Sequence, residues 1–247
     1  MKTIQFFMTP GAGKALIAKA LLQREDIHDA MMSHTVVITA GTTNTYVARE
    51  ALHLLGSDAM DAMGFYRGTV RPAGAAGTQP VFGGDVVIRQ GKWLETTVIQ
   101  DVVEELGRED IVIKGANAVH LPTGEPGVLI GNPAYGTMVP VTAAVLGRGA
   151  RLIVPVGVEK RVDRPIFELL RMTNAAPGLR LSSMPGLAYT ELDAFAQMGA
   201  QDAAILSSGG ICGYEGGCYF GCTGSEDALQ TIQAAVGEAM KAPAFVI

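Results

Sequence analysis

Five runs of branched apolar residues, each with glycine at one end or both, recur along the first two thirds of the chain. They are Thr35–Gly41, Gly84–Ile88, Asp110–Gly115, Gly127–Gly131 and Arg151–Gly157. Their apolar character is continuous rather than alternating, which marks strands covered on both faces. Between them Lys14–Leu22, Asn44–Leu55, Ile99–Leu106 and Met138–Leu146 read as helices. Strands alternating with helices predict an α/β fold: a mainly parallel, Rossmann-like sheet with helices on both faces. Beyond Asn174 the pattern changes. Strands at Leu179–Met184, Asp202–Ser207 and Gly217–Thr223, with helices at Glu191–Met198 and Ser225–Met240, predict a small C-terminal α+β (ferredoxin-like) lobe. The expected division is therefore 1–173 for the Rossmann-like domain and 174–247 for the lobe. The glycine- and proline-containing stretch 70–84 reads as a long loop of the kind that covers a site.

Composition narrows the partners. With 48% hydrophobic and 17% charged residues and a net charge of −5, the chain has the make-up of a well-buried globule. It carries no basic footprint for nucleic acid. The first ten residues are too weakly apolar for a secretory leader, and no run of apolar residues is long enough to span a membrane. The expectation is a cytoplasmic protein with no membrane or nucleic-acid partner. Low charge and eleven methionines suit a homo-oligomer interface, and equally a large core.

Chemistry is expected where strands end, because ligands of open α/β sheets gather outside the carboxyl ends of the strands. Gly41-Thr42-Thr43-Asn44-Thr45 joins a strand to a helix whose free N–H groups attract an anion. Its hydroxyls can bind a phosphate or carboxylate, or simply cap the helix. Lys114-Gly115-Ala-Asn117-Ala-Val-His120 follows another strand. Here Asn117 can orient a substrate hydroxyl, and His120 can act as acid or base or be merely solvated. Gly131-Asn132-Pro-Ala-Tyr-Gly136-Thr137 is either a ligand loop or an ordinary turn. Glu159 and Lys160 directly follow the strand Arg151–Gly157, where Lys160 is a site cation or a surface lysine.

Pro10-Gly-Ala-Gly-Lys14 resembles a nucleotide-binding loop only superficially. Met8 occupies the position of the required first glycine, and Ala15 that of the magnesium-binding hydroxyl residue. With no convincing strand ahead of it, the segment reads as a helix start. All three cysteines, Cys212, Cys218 and Cys222, fall in one glycine-rich stretch. They could hold a [4Fe–4S] cluster or zinc, serve as reactive thiols, or pack as small apolar residues.

Taken in order, Gly41-Thr-Thr-Asn-Thr, Lys114-Gly-Ala-Asn-Ala-Val-His120 and Val156-Gly-Val-Glu-Lys160 resemble motifs of one superfamily. It contains ribose-5-phosphate isomerase, glucosamine-6-phosphate isomerase and the CoA transferases. The last segment is also similar to a stretch of lactate-utilisation proteins. The likeness spans about residues 30 to 165 and implies a strand-end site for an anionic metabolite. It departs where the isomerases carry acidic residues, since Asn117, Ala118 and His120 stand there and an amide takes no proton. The leading expectation is an isomerase-type enzyme acting on a small phosphorylated or carboxylated metabolite. Its proton carriers would be His120, Glu159 or Glu215, and its cations Lys160 or Lys114. Acyl transfer on a Glu159 or Glu215 carboxylate, a non-catalytic metabolite sensor, and a cysteine-loop metalloenzyme are the alternatives.

Overall fold

The computed structural model describes residues 1–57, 65–67, 70 and 84–242. Most of the expected 70–84 loop lies outside the described residues. The fold is mixed α/β, with three sheets among those residues. No described helix is long and apolar enough to cross a membrane.

The largest sheet is built around the branched apolar runs. Strands β2 (Thr35–Ile38), β5 (Ile111–Ile113) and β8 (Arg151–Pro155) lie side by side in parallel. Alternate residues of each strand face opposite sides. Val36, Ile38, Ile111 and Ile113 pack with helices α1 (Pro10–Leu22), α2 (Glu25–Ser33) and α3 (Thr42–Leu54). Val37 and Val112 face Ile99 and Val102 of α4 (Ile99–Val102) and Val141 of α5 (Met138–Thr142). Helices thus cover both faces, as the apolar runs predict. The two-residue strand β10 (Ala188–Tyr189) extends the sheet in parallel beyond β8. On the other side β3 (Val86–Arg89) and β4 (Lys92–Leu94) are antiparallel. The turn between them holds Gln90 and Gly91 at φ 50° and 72°, the left-handed geometry that folds a hairpin back on itself. The sheet is therefore mixed, with three parallel pairings and two antiparallel ones, so parallel pairing prevails in it without making it the wholly α/β-wound sheet of a Rossmann-like fold.

The run at Gly127–Gly131 is a strand, β7 (Glu125–Ile130), but belongs to another sheet. It pairs antiparallel with β6 (Ala118–His120) and β9 (Arg180–Ser183). The physical reason is chain length. A parallel crossover needs a dozen or more residues, usually including a helix, and the stretch after β5 spends its residues on the β6–β7 hairpin. Helix α6 (Ile166–Ala175) backs this sheet through Ile166, which packs with Ala118 and Leu181.

The third sheet joins the two ends of the chain. Strand β1 (Lys2–Met8) pairs with β12 (Cys218–Gly224), which pairs with β11 (Asp202–Ser208), all antiparallel. Phe6, Phe220 and Phe195 of α7 (Glu191–Gln197) form an aromatic cluster beneath it, with Phe195 edge-on to both partners at 5.4 Å. Helix α8 (Glu226–Ala239) completes this face through Leu229 and Ile232. Segments on the two sides of residue 174 contribute strands to every sheet. β1 also means that a strand does precede Pro10–Lys14. The segment itself is a helix start: Thr9 Oγ1 accepts from Ala12 N and Pro10 opens the helix.

Gly84 is required by close approach. A Cβ there would sit 2.6 Å from the carbonyl oxygen of Thr97, which also accepts from Asp85 N. Gly84→Ala is expected to cost about 1–3 kcal/mol, the range for an overpacked site. Chemical denaturation checks this, and an unchanged midpoint would contradict it.

Candidate functional site

The parallel strands β2, β5, β8 and β10 all end along one edge, and the charged side chains of interest collect there. They form two halves. On the β2–β5 side, Asp85 is 0% exposed and bridges three elements. Its Oδ1 accepts from Ala40 N at 3.0 Å and pairs with Arg67 at 3.1 Å, while Oδ2 accepts from Ile99 N at 2.9 Å. Lys114 follows β5 directly. Burial pushes its amine down to about 8, with Asp85 opposing and Arg67 reinforcing that shift. Arg67 also donates to Thr137 Oγ1 at 3.2 Å.

The hydroxyl and amide groups of the Gly41–Thr45 loop turn inward here. Asn44 Nδ2 donates to the carbonyls of Thr39 and Ile113 at 2.7 and 3.0 Å. Thr45 Oγ1 is shared between the carbonyls of Gly41 and Phe65. These two side chains brace backbone at the strand ends. Thr43 Oγ1 and Asn44 Oδ1 are buried without a hydrogen-bond partner. Thr42 and Gly41 stand at the start of α3, and Gly115 lies between Asn44 Oδ1 and the carbonyl of Pro155.

On the β8–β10 side, Val158–Lys160 form a 3-10 turn at the end of β8. Lys160 Nζ donates to Ala116 O at 2.9 Å, tying this half to the Lys114–Asn117 turn. Burial pushes the Lys160 amine down, Glu159 and Glu191 counter this, and Lys14 adds to it. Glu191 opens α7 and is only 3% exposed. Its Oε2 accepts from Val158 N at 2.9 Å. Burial first, then the charge of Glu159, push its carboxyl up to about 8, against the N–H groups of Val158 and Glu191 itself and the charge of Lys14. Glu159 Oε2 is buried with no hydrogen-bond partner.

Glu159 and Glu191 line one cavity of about 10 Å³, room for about one water molecule. Thr9 and Pro10 at the start of α1, Cys218 and Phe220 of β12, and Gly216 complete its wall. Gly216 belongs to the loop 209–217, exposed from 209 to 216, whose base is closed by Gly209 N donating to the carbonyl of buried Gly217 at 2.8 Å. Gly13 has a specific task here. A Cβ on this helical residue would collide with Glu191 Oε1, so glycine lets α1 approach the carboxyl.

The remaining expected residues lie elsewhere. His120 is buried in the β6–β7 hairpin, with Nδ1 2.8 Å from Thr123 Oγ1. Asn117 Oδ1 accepts from Leu129 N, bracing the same hairpin. Glu215 is exposed in the 209–217 loop. Asn132 Oδ1 accepts from Ala134 N in a local turn, followed by Tyr135 and Gly136 at φ 67° and 55°. Gly131 and Asn132 border a separate groove of about 600 Å³ beside α6 and β9.

The cysteines are not brought together, which corrects the zinc or [4Fe–4S] expectation. Cys218 and Cys222 lie four residues apart on one strand, a separation of roughly 13 Å at normal strand rise. Two sulfurs that far apart cannot ligate one ion or one cluster. Cys222 is in the core, where burial pushes its thiol up to about 11. Cys212 is exposed in the loop at φ 55°. Cys218 Sγ lies 3.6 Å from both Arg161 and Ser208. Among the described residues no group of three His, Cys, Asp or Glu side chains is arranged to hold a metal ion.

Sequence reasoning missed Glu191 and Asp85. An acidic residue in a first helical turn ordinarily faces solvent and complements the helix dipole. The available signal for Glu191 was Gly13, a glycine inside a helix, where it costs stability unless close packing needs it. No family model matches the chain, and neither does any curated protein or solved structure.

Proposed function

We propose that the protein is an enzyme that binds a small phosphorylated or carboxylated carbonyl compound and moves a proton between its neighbouring carbons. The observation that carries this reading is the placement of Glu159, whose buried carboxyl oxygen lacks a partner, beside the buried amine of Lys160 at the end of β8. A carboxylate within reach of an activated C–H is the base such chemistry needs, and a cation stabilises the oxyanion that forms. Lys114 and Arg67 supply positive charge on the β2–β5 side for the substrate's anionic group. The resemblance to the sugar-phosphate isomerases points the same way, with Glu159 replacing the acidic residues that Asn117 and His120 do not provide. The cavity holds about 10 Å³, so a metabolite enters only when the cavity wall, to which Gly216 of the glycine-rich 209–217 loop belongs, opens. Exposed Phe167, Met172 and Leu187 support a homo-oligomer.

Calorimetric titration with a panel of phosphorylated and carboxylated aldehydes and ketones tests the reading. Saturable binding of at least one compound is expected, weakened about 10- to 100-fold in Lys160→Met, the range for losing a charge-assisted hydrogen bond. Absence of binding across the panel, or equal binding by the variant, overturns it.

A further inference from the structure

We propose that Glu191 is the acid partner of Glu159, the two carboxyls sharing one proton across the cavity that both line. The inference deepens the proton-transfer reading above and rests on it. Its basis is geometric. Glu191 is 3% exposed, and its Oε2 is fixed by Val158 N, the residue next to Glu159. Gly13 admits its Oε1 against α1, and both carboxyls meet the same small cavity. The groups facing Glu191 are Lys14 from α1, Glu159 and Lys160 from the turn after β8, and Cys218 from β12. Two carboxyls that line one cavity with room for about one water do not both ionise readily, so one keeps its proton. Full burial selects Glu191 as the holder, in line with a carboxyl pushed up to about 8.

In the reaction, the substrate is a carbonyl compound with a hydroxyl on the neighbouring carbon. Glu159 takes the proton from that hydroxyl-bearing carbon while Glu191 gives its proton to the carbonyl oxygen, forming an enediol. The Glu191 carboxylate then takes the proton of the other enediol hydroxyl, and Glu159 returns its proton to the neighbouring carbon. Both carboxyls end as they began. The competing role is a purely structural latch on Val158 N, and the variants below separate the two.

The experiment is a carbon-13 NMR titration of the intact protein labelled at glutamate carboxyls, compared with Glu191→Gln and Glu159→Gln. Glutamine keeps an acceptor for Val158 N, so the first variant preserves the latch. The resonance lost in Glu191→Gln is expected to titrate near 8 in the wild type, and its midpoint to fall in Glu159→Gln. Folding stability should fall as pH rises from about 5 to 8, because the folded state holds a proton that the unfolded state releases. Glu191→Gln should flatten that dependence. With a turned-over substrate, the same variant should lose about 100-fold or more in kcat. Titration of Glu191 in the ordinary carboxylate range, an unmoved midpoint in Glu159→Gln, or an unchanged kcat each overturns the inference. The titration needs no substrate, so a failure to find turnover counts against the reaction and not against the shared proton.

Discussion

Replacing Asp85 with alanine is expected to destabilise the fold by about 3–6 kcal/mol, from two backbone hydrogen bonds to a charged carboxylate at about 1.5–3 kcal/mol each. Asp85 is fully buried and its two oxygens serve Ala40 N at the end of β2, Ile99 N at the start of α4, and Arg67. Alanine leaves the buried Ile99 N–H and the half-buried Ala40 N–H unpaired and Arg67, 37% exposed, without its counter-ion, and the buried donor carries the larger desolvation cost. Lys114 loses the nearby charge that favours its protonated form, so its amine is pushed still further below its ordinary range. Asparagine should fall between the two, because one oxygen survives while the new amide group meets a donor. Urea denaturation with a constant slope checks the size, and a loss under about 1 kcal/mol would contradict this account of Asp85.

The second large effect concerns chemistry. Glu159→Gln is expected to lower proton transfer by about 10²–10⁴-fold, the usual contribution of a positioned general base. Folding should be nearly unaffected, because Glu159 Oε2 makes no hydrogen bond that the amide would forfeit. The combination distinguishes a base from a structural carboxylate. Loss of stability in parallel with activity would assign Glu159 to the scaffold.

What could be read from the sequence depended on how locally each feature is determined. β2, β5 and β8 were legible because a strand buried on both faces must be apolar throughout, and Val36–Ile38 and Ile111–Ile113 are. β7 shows the same pattern, yet its sheet is set by connection length, which composition does not carry. β1 alternates Ile4, Phe6 and Met8 toward the core, but Phe7 on the other face blurs the period. Strands β4, β6 and β10 span only two or three residues, too few for any period. Strand pairing crosses residue 174 in every sheet, a long-range feature that the change of local pattern there does not carry.

The candidate site was legible to the same degree. Glu159 and Lys160 stood out because polar residues directly after a buried strand must lie at its end. Asp85 and Glu191 did not, since their burial comes from partners far along the chain: Ala40 for one, Gly13 and Val158 for the other. Thr43, Asn44 and Thr45 lie in the first turn of α3, and the inward direction of Asn44 and Thr45 depends on β5 and Phe65. The cysteines were close in sequence, but an extended strand holds two of them apart.

The most direct test of the central claim is hydrogen exchange into substrate. Wild-type protein is incubated in heavy water with each phosphorylated or carboxylated carbonyl compound that binds, and loss of the proton beside the carbonyl is followed by proton NMR. Enzyme-dependent deuterium incorporation at that carbon, abolished in Glu159→Gln, is the predicted result. No incorporation into any bound compound, or equal incorporation by the variant, would contradict a proton-transfer site at Glu159.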